Sequence, residues 1–516
     1  MKSSALPLEI WWLVCQELVR DAPPDFNSLF SCALVDRAMA KVALPLLYSV
    51  HHKALVDLDA SIRTGQVRWA NLWRSLILSS IGKTAFPYAL WIRNLQLGDL
   101  QMTLQDVARN PAVREDLFRG NMAEFEILSN VNMTRAAQRK LGRAPLAYDA
   151  IALKVGDAIT SFVKDAADRN DTVVTLAKLE SHRIPSDVLT TWTSRLSTLR
   201  SLTLREVDSL NADVASAIRR DCPSFAKLRC LTGPGENADG DMAAFLLSLA
   251  PQTLEHFEVI SYNNFDDHKE SYLQVAEWLR NSHGLTSLEI SAIPDTPSLL
   301  AKVLPSENLR LHSLRVDISE LTRQDSEFYP SLSHQETLEE LFIENYEDSF
   351  GSSEALVRAI SECRNLVALY AVNSQFTALD LRQLCLTLPR LEILQFDGEH
   401  QDNTLDALMG FERLKNATVN GTSSFSFDRL CSFIDGLAIK GKPAESALAT
   451  GSATISKGPH YGFNLIIASQ IGFGSTKFTK AQETALQDLI KERVNGELSL
   501  TYIQDEDELH ESDFSD

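Results

Sequence analysis

Two short segments of the sequence carry residue types that bind metal ions. His51 and His52 are adjacent imidazoles, but no Cys or acidic ligand stands beside them, and a polar end to the preceding apolar segment is the simpler interpretation. Residues 237–242 (NADGDM) begin like a calcium loop, but the twelfth position is Ser248, where such a loop needs a bidentate glutamate. We therefore predict no metal site and no cofactor, and a turn followed by a helix at this segment.

Residues that could do covalent or phosphate chemistry do not stand in recognisable motifs. No G-x-x-x-x-G-K-[ST], G-x-G-x-x-G, G-x-S-x-G or H-E-x-x-H occurs, so the common phosphate, serine-nucleophile and zinc-hydrolase signatures are missing from the sequence. The seven cysteines contain no C-x-x-C pair, which favours reduced core or surface thiols over a disulfide framework or zinc finger. The sequence therefore predicts a protein without catalytic residues.

Length and charge limit the possible classes of protein. The chain has 516 residues, several times the common domain size of roughly 100 to 150 residues, which indicates several domains or one repeat array. Its 69 acidic and 49 basic residues give a net charge of −20, which disfavours nucleic acid as a ligand. The apolar run at residues 10–15 is too short for a signal peptide, and no run approaches the roughly 20 residues of a membrane span. We therefore expect a cytoplasmic or nuclear protein without membrane association.

A leucine-rich sextet recurs from residue 199 onwards. The sextets begin at Leu199, Leu228, Leu254, Leu285, Leu311, Leu338, Leu366, Leu391 and Leu414. Each ends in the alternation of a short strand, and segments with helical periodicity, such as residues 272–284, lie between them. A strand and a helix in about 27 residues is the period of leucine-rich repeats. We predict an α/β fold in which residues 199–436 form an irregular leucine-rich-repeat solenoid, with strands on the concave side and helices on the convex side.

The flanks of the repeats are less regular. Residues 51–198 are predicted to be an irregular, partly helical beginning of the solenoid, with strands at 73–80, 92–99, 125–130 and 173–181. A helix there places Ile151, Val155, Ile159 and Val163 on one face. Residues 437–460 predict a flexible, protease-sensitive loop. We predict a β-α-β cap over residues 461–504, in which a helix at about 479–495 is stopped by Gly496. Residues 505–516 are predicted to be an acidic tail.

The first 50 residues have a pattern of their own, in which two apolar helical segments flank a proline-containing break. Its distinctive residues are Leu6, Pro7, Glu9, Ile10, Leu13, Leu18, Leu29, Leu34, Val35 and Arg37, followed by an apolar segment at residues 43–48. This pattern resembles an F-box, although Met39 stands where the family usually has tryptophan. An F-box ahead of leucine-rich repeats is similar to the arrangement in fungal F-box proteins.

The resemblance implies an all-helical F-box over residues 1–50 that binds a Skp-type adaptor and, through it, a cullin-RING ubiquitin ligase. The adaptor-binding residues it implies are Leu6, Pro7, Glu9, Ile10, Leu13, Leu18, Leu29, Leu34 and Val35. The repeats would hold a client protein for ubiquitin-dependent degradation. Two alternatives remain open, namely a leucine-rich-repeat interaction scaffold without a ubiquitin-ligase role and a regulator resembling the GTPase-activating horseshoes, whose repeats are more regular.

A candidate client-binding surface lies in the sextets that begin at Leu338 and Leu366. Residues 324–357 contain nine acidic residues and no Lys or Arg. The outward strand positions are predicted to include Glu339, Glu340, Phe342, Glu344 and Tyr370. Acids beside aromatic rings suit a client segment that presents Lys or Arg around an apolar anchor. The competing interpretation is the ordinary solvated surface of an acidic protein.

Overall fold

The computed structural model describes residues 7–20, 24–51, 62–129, 144–205, 210–232, 239–261, 269–291, 296–318, 327–345, 353–440, 459–470 and 477–503. The chain divides into two compact units, Met1–Leu254 and Glu255–Asp516. None of the helices in the described ranges combines the length and the apolar character that a membrane crossing requires.

The first unit begins with three helices and continues as alternating strands and helices. Its helices are α1 (Leu8–Arg20), α2 (Phe26–Val35), α3 (Arg37–Ser49), α4 (Ile62–Ser80), α5 (Leu97–Arg109), α6 (Pro111–Leu117), α7 (Tyr148–Asn170), α8 (Ser186–Arg195), α9 (Ala212–Asp221) and α10 (Asp239–Ser248). Its strands are β1 (Asn94–Gln96), β2 (Lys178–Ser181), β3 (Ser201–Leu204) and β4 (Lys227–Thr232). The strands pair in parallel and in chain order, β1 with β2, β2 with β3 and β3 with β4.

The second unit repeats the same alternation. Its strands are β5 (His256–Ser261), β6 (Ser287–Ser291), β7 (Ser313–Ile318), β8 (Glu340–Asn345), β9 (Ala368–Gln375), β10 (Ile393–His400), β11 (Asn416–Ser423), β12 (Asn464–Gln470) and β13 (Glu497–Ile503). Its helices are α11 (Lys269–Arg280), α12 (Thr296–Val303), α13 (Phe328–Leu332), α14 (Ser353–Glu362), α15 (Ala378–Thr387), α16 (Asp402–Leu408), α17 (Phe427–Lys440) and α18 (Lys480–Val494). From β5 to β13 each strand pairs in parallel with its neighbours in sequence. The predicted α/β class is confirmed.

The strands form where the leucine sextets alternate. In β7, Leu314 and Val316 are fully buried while Arg315 between them is exposed, and the same alternation recurs in β8. A strand is present at each of the nine sextets. Ala371 and Ala417, the last residues of the sextets that begin at Leu366 and Leu414, are small but buried in their strands. Burial of alternate side chains against the helices therefore determines where each strand lies.

The sextet predicted at Leu228 is wrong in register by three residues. Leu228 pairs with Leu202 and Cys230 pairs with Leu204, so Phe225 is the residue that corresponds to Leu199. Phe225, Leu228 and Cys230 are all buried. Gly233, which the predicted register placed at a core position, is not part of the corrected sextet and lies outside the described residues.

Two of the four strands predicted in residues 51–198 are present, at β1 and β2. Residues 73–80 form the end of α4 instead, because Trp73, Leu76 and Ile77 follow the three- and four-residue spacing of one helix face and are buried there. In the described part of the third predicted strand, residues 125–129, Leu128 forms an isolated antiparallel bridge to Leu146 and no named strand is present. The predicted helix is α7, and the four residues assigned to its apolar face are buried.

The C-terminal β-α-β prediction agrees with β12, α18 and β13, and Thr479 caps α18 through a reciprocal capping box with Gln482. The helix ends at Val494, and the left-handed residue that follows it is Asn495, with φ of 53°, one residue before the predicted stop at Gly496. The loop prediction is wrong at both ends. Residues 437–440 belong to α17, and His460 is buried with its Nδ1 donating to the Leu414 carbonyl oxygen at 3.0 Å. Residues 441–458 and 504–516, which hold the rest of the predicted loop and the acidic tail, lie outside the described residues.

Candidate interaction surfaces

The first three helices form a small bundle around a core of Cys15, Leu29, Val42 and Ala43. Two aspartates set the helix boundaries. Asp25 Oδ1 accepts from Ser28 N at 2.9 Å at the start of α2, and Asp36 Oδ1 accepts from Met39 N at 2.8 Å at the start of α3. Asp36 alone, in an extended conformation, separates α2 from α3.

The bundle leaves an unusual amount of apolar side chain in contact with solvent. Eight of the nineteen exposed large hydrophobic residues in the described part of the chain lie between residues 8 and 35. They are Leu8, Ile10, Trp12, Leu13, Val14, Phe30, Leu34 and Val35. The most exposed are Leu34 and Val35, at 70% and 71%. Clustered exposed apolar residues indicate an interaction surface, whereas single ones are ordinary.

The residues predicted to bind an adaptor separate into two groups in this bundle. Pro7, Glu9, Ile10, Leu13, Leu34 and Val35 are exposed and available for contact. Leu29 is fully buried in the bundle core and cannot touch a partner, and Leu18 packs against that core. Leu6 lies outside the described residues.

The sequence interpretation missed four exposed apolar residues of the bundle, which are Leu8, Trp12, Val14 and Phe30. Phe30 could have been found from the helical period of α2. It lies four residues before Leu34 and therefore on the same side of the helix, while Leu29 points toward the core.

The bundle is attached to the rest of its unit through α3. The Tyr48 hydroxyl lies 2.7 Å from Ser75 Oγ of α4, and its ring stacks on Tyr88 with centroids 4.8 Å apart. Burial raises the pKa of Tyr48 to about 12. His51, at the end of this segment, is buried and its Nδ1 donates to the Tyr48 carbonyl oxygen at 2.8 Å. The end of α3 is therefore packed against the part of the unit that follows it.

A second candidate surface lies on β7, β8 and β9 of the second unit. Glu340, Phe342 and Glu344 alternate with buried residues on β8, and Phe342 pairs in register with Tyr370 of β9. The two rings have centroids 5.9 Å apart at an interplanar angle of 34°. Burial raises the pKa of the Tyr370 hydroxyl, and the negative charge of Glu340 raises it further by a smaller amount. Both rings are half-buried and keep part of their area accessible.

One ring of this aromatic pair, Phe342, is already in contact with a cationic side chain of the same protein. The Arg315 guanidinium of β7 lies 3.8 Å from the Phe342 ring centroid, and its Nε lies 3.2 Å from Glu289 Oε1 of β6. One side of Phe342 is therefore occupied. A cationic group from another molecule would approach the exposed Glu340 or the ring of Tyr370 rather than the occupied side of Phe342.

The acidic stretch predicted around these aromatics does not lie on one surface. Glu339 precedes β8 and has the opposite side-chain parity to Phe342, so it is not on the aromatic face. Glu354 lies on α14, where it pairs with Arg358 at 3.2 Å. Asp325, Glu347 and Asp348 lie outside the described residues. The sequence predicted too large an acidic patch. Acidic residues that are close in the sequence lie on a strand and on a helix here, and these elements direct their side chains to different sides.

A polar cluster that the sequence did not indicate lies at the carboxyl ends of β1, β2 and β3. Glu180 accepts from Gln96 Nε2 at 3.1 Å and lies 3.6 Å from the Arg205 guanidinium. Asp99 lies in the first turn of α5, directly after β1. Burial and the nearby Glu180 charge raise the Asp99 pKa to about 6, although Arg205 opposes the shift. Burial and Arg205 lower the pKa of His182, which lies beside Gly98.

Asp99 should make stability depend on pH. The unfolded chain releases the Asp99 proton near its ordinary pKa of 3.8, but the folded protein releases it only near 6. The Asp99 contribution to the free energy of unfolding therefore falls as pH rises through this window. We expect Asp99→Asn to be more stable than the wild type by about 2 kcal/mol at pH 7.5, a difference that largely disappears at pH 4.

Urea unfolding at the two pH values measures this difference. Asp106→Asn on the same helix is a matched control, because its carboxylate is more exposed and pairs with Arg109 at 3.4 Å. A gain in stability from Asp99→Asn that is equal at both pH values would contradict the assignment.

No group of three or more His, Cys, Asp or Glu side chains that could hold a metal ion occurs within the described ranges. No protein-family model matches the chain, and no curated protein matches it. The two surfaces must therefore be interpreted from their own chemistry.

Proposed function

We propose that the chain is the substrate-recognition subunit of an SCF-type ubiquitin ligase. In this proposal residues 1–50 are an F-box that docks a Skp-type adaptor, and the strands and helices that follow are an irregular leucine-rich-repeat solenoid that binds a client. The chain performs no bond chemistry. It raises the local concentration of client lysines beside a ubiquitin-charged enzyme held elsewhere in the complex, in the cytoplasm or nucleus.

The exposed apolar residues of α1 and α2 are the observation that carries the proposal. The bundle core is complete without them, since Cys15, Leu29, Val42 and Ala43 are buried by the three helices themselves. Burying these apolar side chains against a partner would be favourable by roughly 25 cal/mol per Å² of apolar area before the costs of association. The strands pair in parallel and in order within each unit, and a helix follows each of β1 to β12, which supports the repeat part of the proposal.

A binding measurement between the purified full-length chain and a purified Skp-type adaptor tests the proposal. We expect a one-to-one complex that co-elutes in size exclusion and has a Kd below about 1 μM. Addition of cullin and RING subunits should then give one larger assembly. A chain that is folded, by circular dichroism, but shows no adaptor binding at tens of micromolar would be an interaction scaffold instead.

The aromatic face of β8 and β9 is the proposed client site, with Glu340 and Glu344 beside Phe342 and Tyr370. We expect Phe342→Ala combined with Tyr370→Ala, and separately Glu340→Lys, to weaken client binding about tenfold each, because they remove the apolar contact or reverse the charge. The charge effect should shrink at high salt because the acidic groups are accessible to ions. Affinity purification of the assembled ligase with mass spectrometry identifies a client, whose binding is then measured.

Glu339→Lys is the matched control for Glu340→Lys. It makes the same charge change one residue away, but its side chain lies off the aromatic face. Equal losses from both substitutions would point to a general electrostatic effect. Full client binding by the Phe342, Tyr370 and Glu340 variants would move the client site to another repeat.

A further inference from the structure

One exposed face of the first unit carries a cluster of basic side chains. It consists of the outward positions of β2, β3 and β4, which alternate with buried core residues. Lys178 of β2 and Lys227 of β4 are exposed and lie in one row of the sheet, with Ser201 of β3 between them. Arg229 lies two residues after Lys227 on the same side of β4 and is also exposed. We call this surface the basic face.

A fourth cation and one acid complete the basic face. Arg205 directly follows β3, and its backbone N donates to the Ser181 carbonyl oxygen at 3.1 Å. Thr203 of β3 pairs in register with Glu180 on one side and with Arg229 on the other. Glu180 is the one acid among the outward positions of β2 to β4, and its Oε1 lies 3.6 Å from a guanidinium nitrogen of Arg205. Four cations against one acid leave the basic face positively charged.

The charge of the basic face is opposite to that of the whole chain, which has 69 acidic and 49 basic residues. Outward strand positions in the second unit carry Glu289 on β6 and Glu340 and Glu344 on β8. Arg315 on β7 is partly neutralised there, because its Nε lies 3.2 Å from Glu289 Oε1. The excess of cations is therefore a local feature of β2 to β4 and does not follow from the composition.

We propose that the basic face binds an extended, acidic peptide segment of a partner protein. Side chains on one side of an extended peptide recur about every 7 Å, which is also about the spacing of Lys227 and Arg229 along β4. Lys178 and Lys227 are two strand spacings apart, about 10 Å. Alternate carboxylates of the peptide can therefore meet successive cations. The hydroxyls of Ser201 and Thr203, on the strand between, can donate to the same carboxylates.

Charge complementarity is the reason for choosing this occupant. Exposed cations attract an acidic segment at long range and pair with its carboxylates on contact. Each solvent-exposed pair contributes little, so the affinity depends on how many pairs form and falls as salt screens them. The inference goes beyond the ubiquitin-ligase proposal and does not depend on it, because the basic face lies outside the three-helix bundle and its test uses the chain without an adaptor.

Fluorescence anisotropy with the full-length chain tests the inference. The probe is a fluorescein-labelled peptide in which glutamate alternates with serine over about twelve residues. A second peptide has glutamine in place of every glutamate. We expect saturable binding of the glutamate peptide with a Kd of about 100 μM or lower at low salt. Its affinity should fall at least about tenfold at about 0.5 M salt, and the glutamine peptide should not bind.

Reversing two charges of the basic face should weaken this binding. Lys178→Glu combined with Lys227→Glu should raise the Kd about tenfold or more. Lys41→Glu combined with Lys83→Glu is the matched control, since both lysines are exposed in the first unit, lie outside the basic face and give the same change in net charge. This control should bind within about twofold of the wild type. Glu180→Gln should instead tighten binding about threefold, because it removes the acid from the face.

A neutral pair of substitutions keeps the test decisive if the charge reversal unfolds the protein. Lys178→Gln combined with Lys227→Gln should raise the Kd about threefold while the circular dichroism spectrum stays native. Wild-type affinity in this folded variant would overturn the inference, and so would equal losses in the charge-reversed pair and its control. Tighter binding of a single-stranded DNA than of the glutamate peptide would make the face a nucleic-acid surface and would also overturn it.

Discussion

Replacing Leu34 and Val35 by aspartate should abolish adaptor binding while leaving the protein folded. Both side chains are more than two-thirds exposed, so the folded chain loses little when they become polar. In the proposed complex the two carboxylates would be buried without partners against an apolar surface. We expect the Kd for the Skp-type adaptor to rise at least about a hundredfold, which corresponds to roughly 3 kcal/mol.

The chain offers a matched control for this double substitution. Leu379 and Leu386 on α15 are 74% and 84% exposed, so replacing both by aspartate makes the same chemical change on a helix outside the bundle. This control should bind the adaptor as the wild type does. A second pair, Leu34→Lys with Val35→Lys, places favourable charge at the end of α2 and should also lose the adaptor. Wild-type affinity in both bundle variants would refute the F-box assignment.

Gly421→Ala should destabilise the second unit by about 4 kcal/mol or more. Gly421 has φ of 99°, a conformation in which a side chain is strained. A Cβ there would also lie 2.4 Å from the Gly398 carbonyl oxygen. Gly398 pairs with Gly421 in the β10–β11 register, so the clash could be removed only by moving the paired backbones of the two strands apart. Urea unfolding followed by fluorescence measures the loss.

Gly462→Ala separates conformational strain from the steric clash. Gly462 has φ of 79°, but no atom lies within 4 Å of the position its Cβ would take. The Gly462→Ala substitution should therefore lower the free energy of unfolding by only about 1 kcal/mol. A similar small cost at Gly421 would mean that the two strands are farther apart than they are in this structure.

The strand positions of the repeats could be predicted from the sequence because buried leucines recur with a regular spacing. The error at Leu228 shows the limit of this approach. Residues 225–233 contain two overlapping frames, and Leu231 made the later one resemble its neighbours although Phe225 takes the first core position. A single aromatic residue in place of leucine was enough to move the predicted register. The same ambiguity made the buried helical run at 73–80 resemble a strand, since short apolar runs fit both periods.

The candidate surfaces were harder to predict than the strands. The sequence pattern located the helices of the bundle, but it did not say which side of α2 faces the core, so Leu29 was assigned to the surface and Phe30 was missed. Arg315 could not be placed on Phe342 from its position in the chain, because the two residues meet only through the β7–β8 register. The Asp99 cluster likewise exists only because parallel strands end at one edge.

Because each strand of the second unit pairs only with strands adjacent in sequence, its contacts have low contact order. From β6 to β11, each new strand closes a loop of similar length, so the entropy lost at each of these closures is similar. Folding can begin at any repeat and extend to its neighbours, as in a one-dimensional chain of coupled units. A nascent polypeptide could therefore fold β5 to β11 on the ribosome before β12 and β13 are synthesised. At each stage the newest strand is the edge that awaits the next strand, and this edge moves along the second unit as synthesis proceeds.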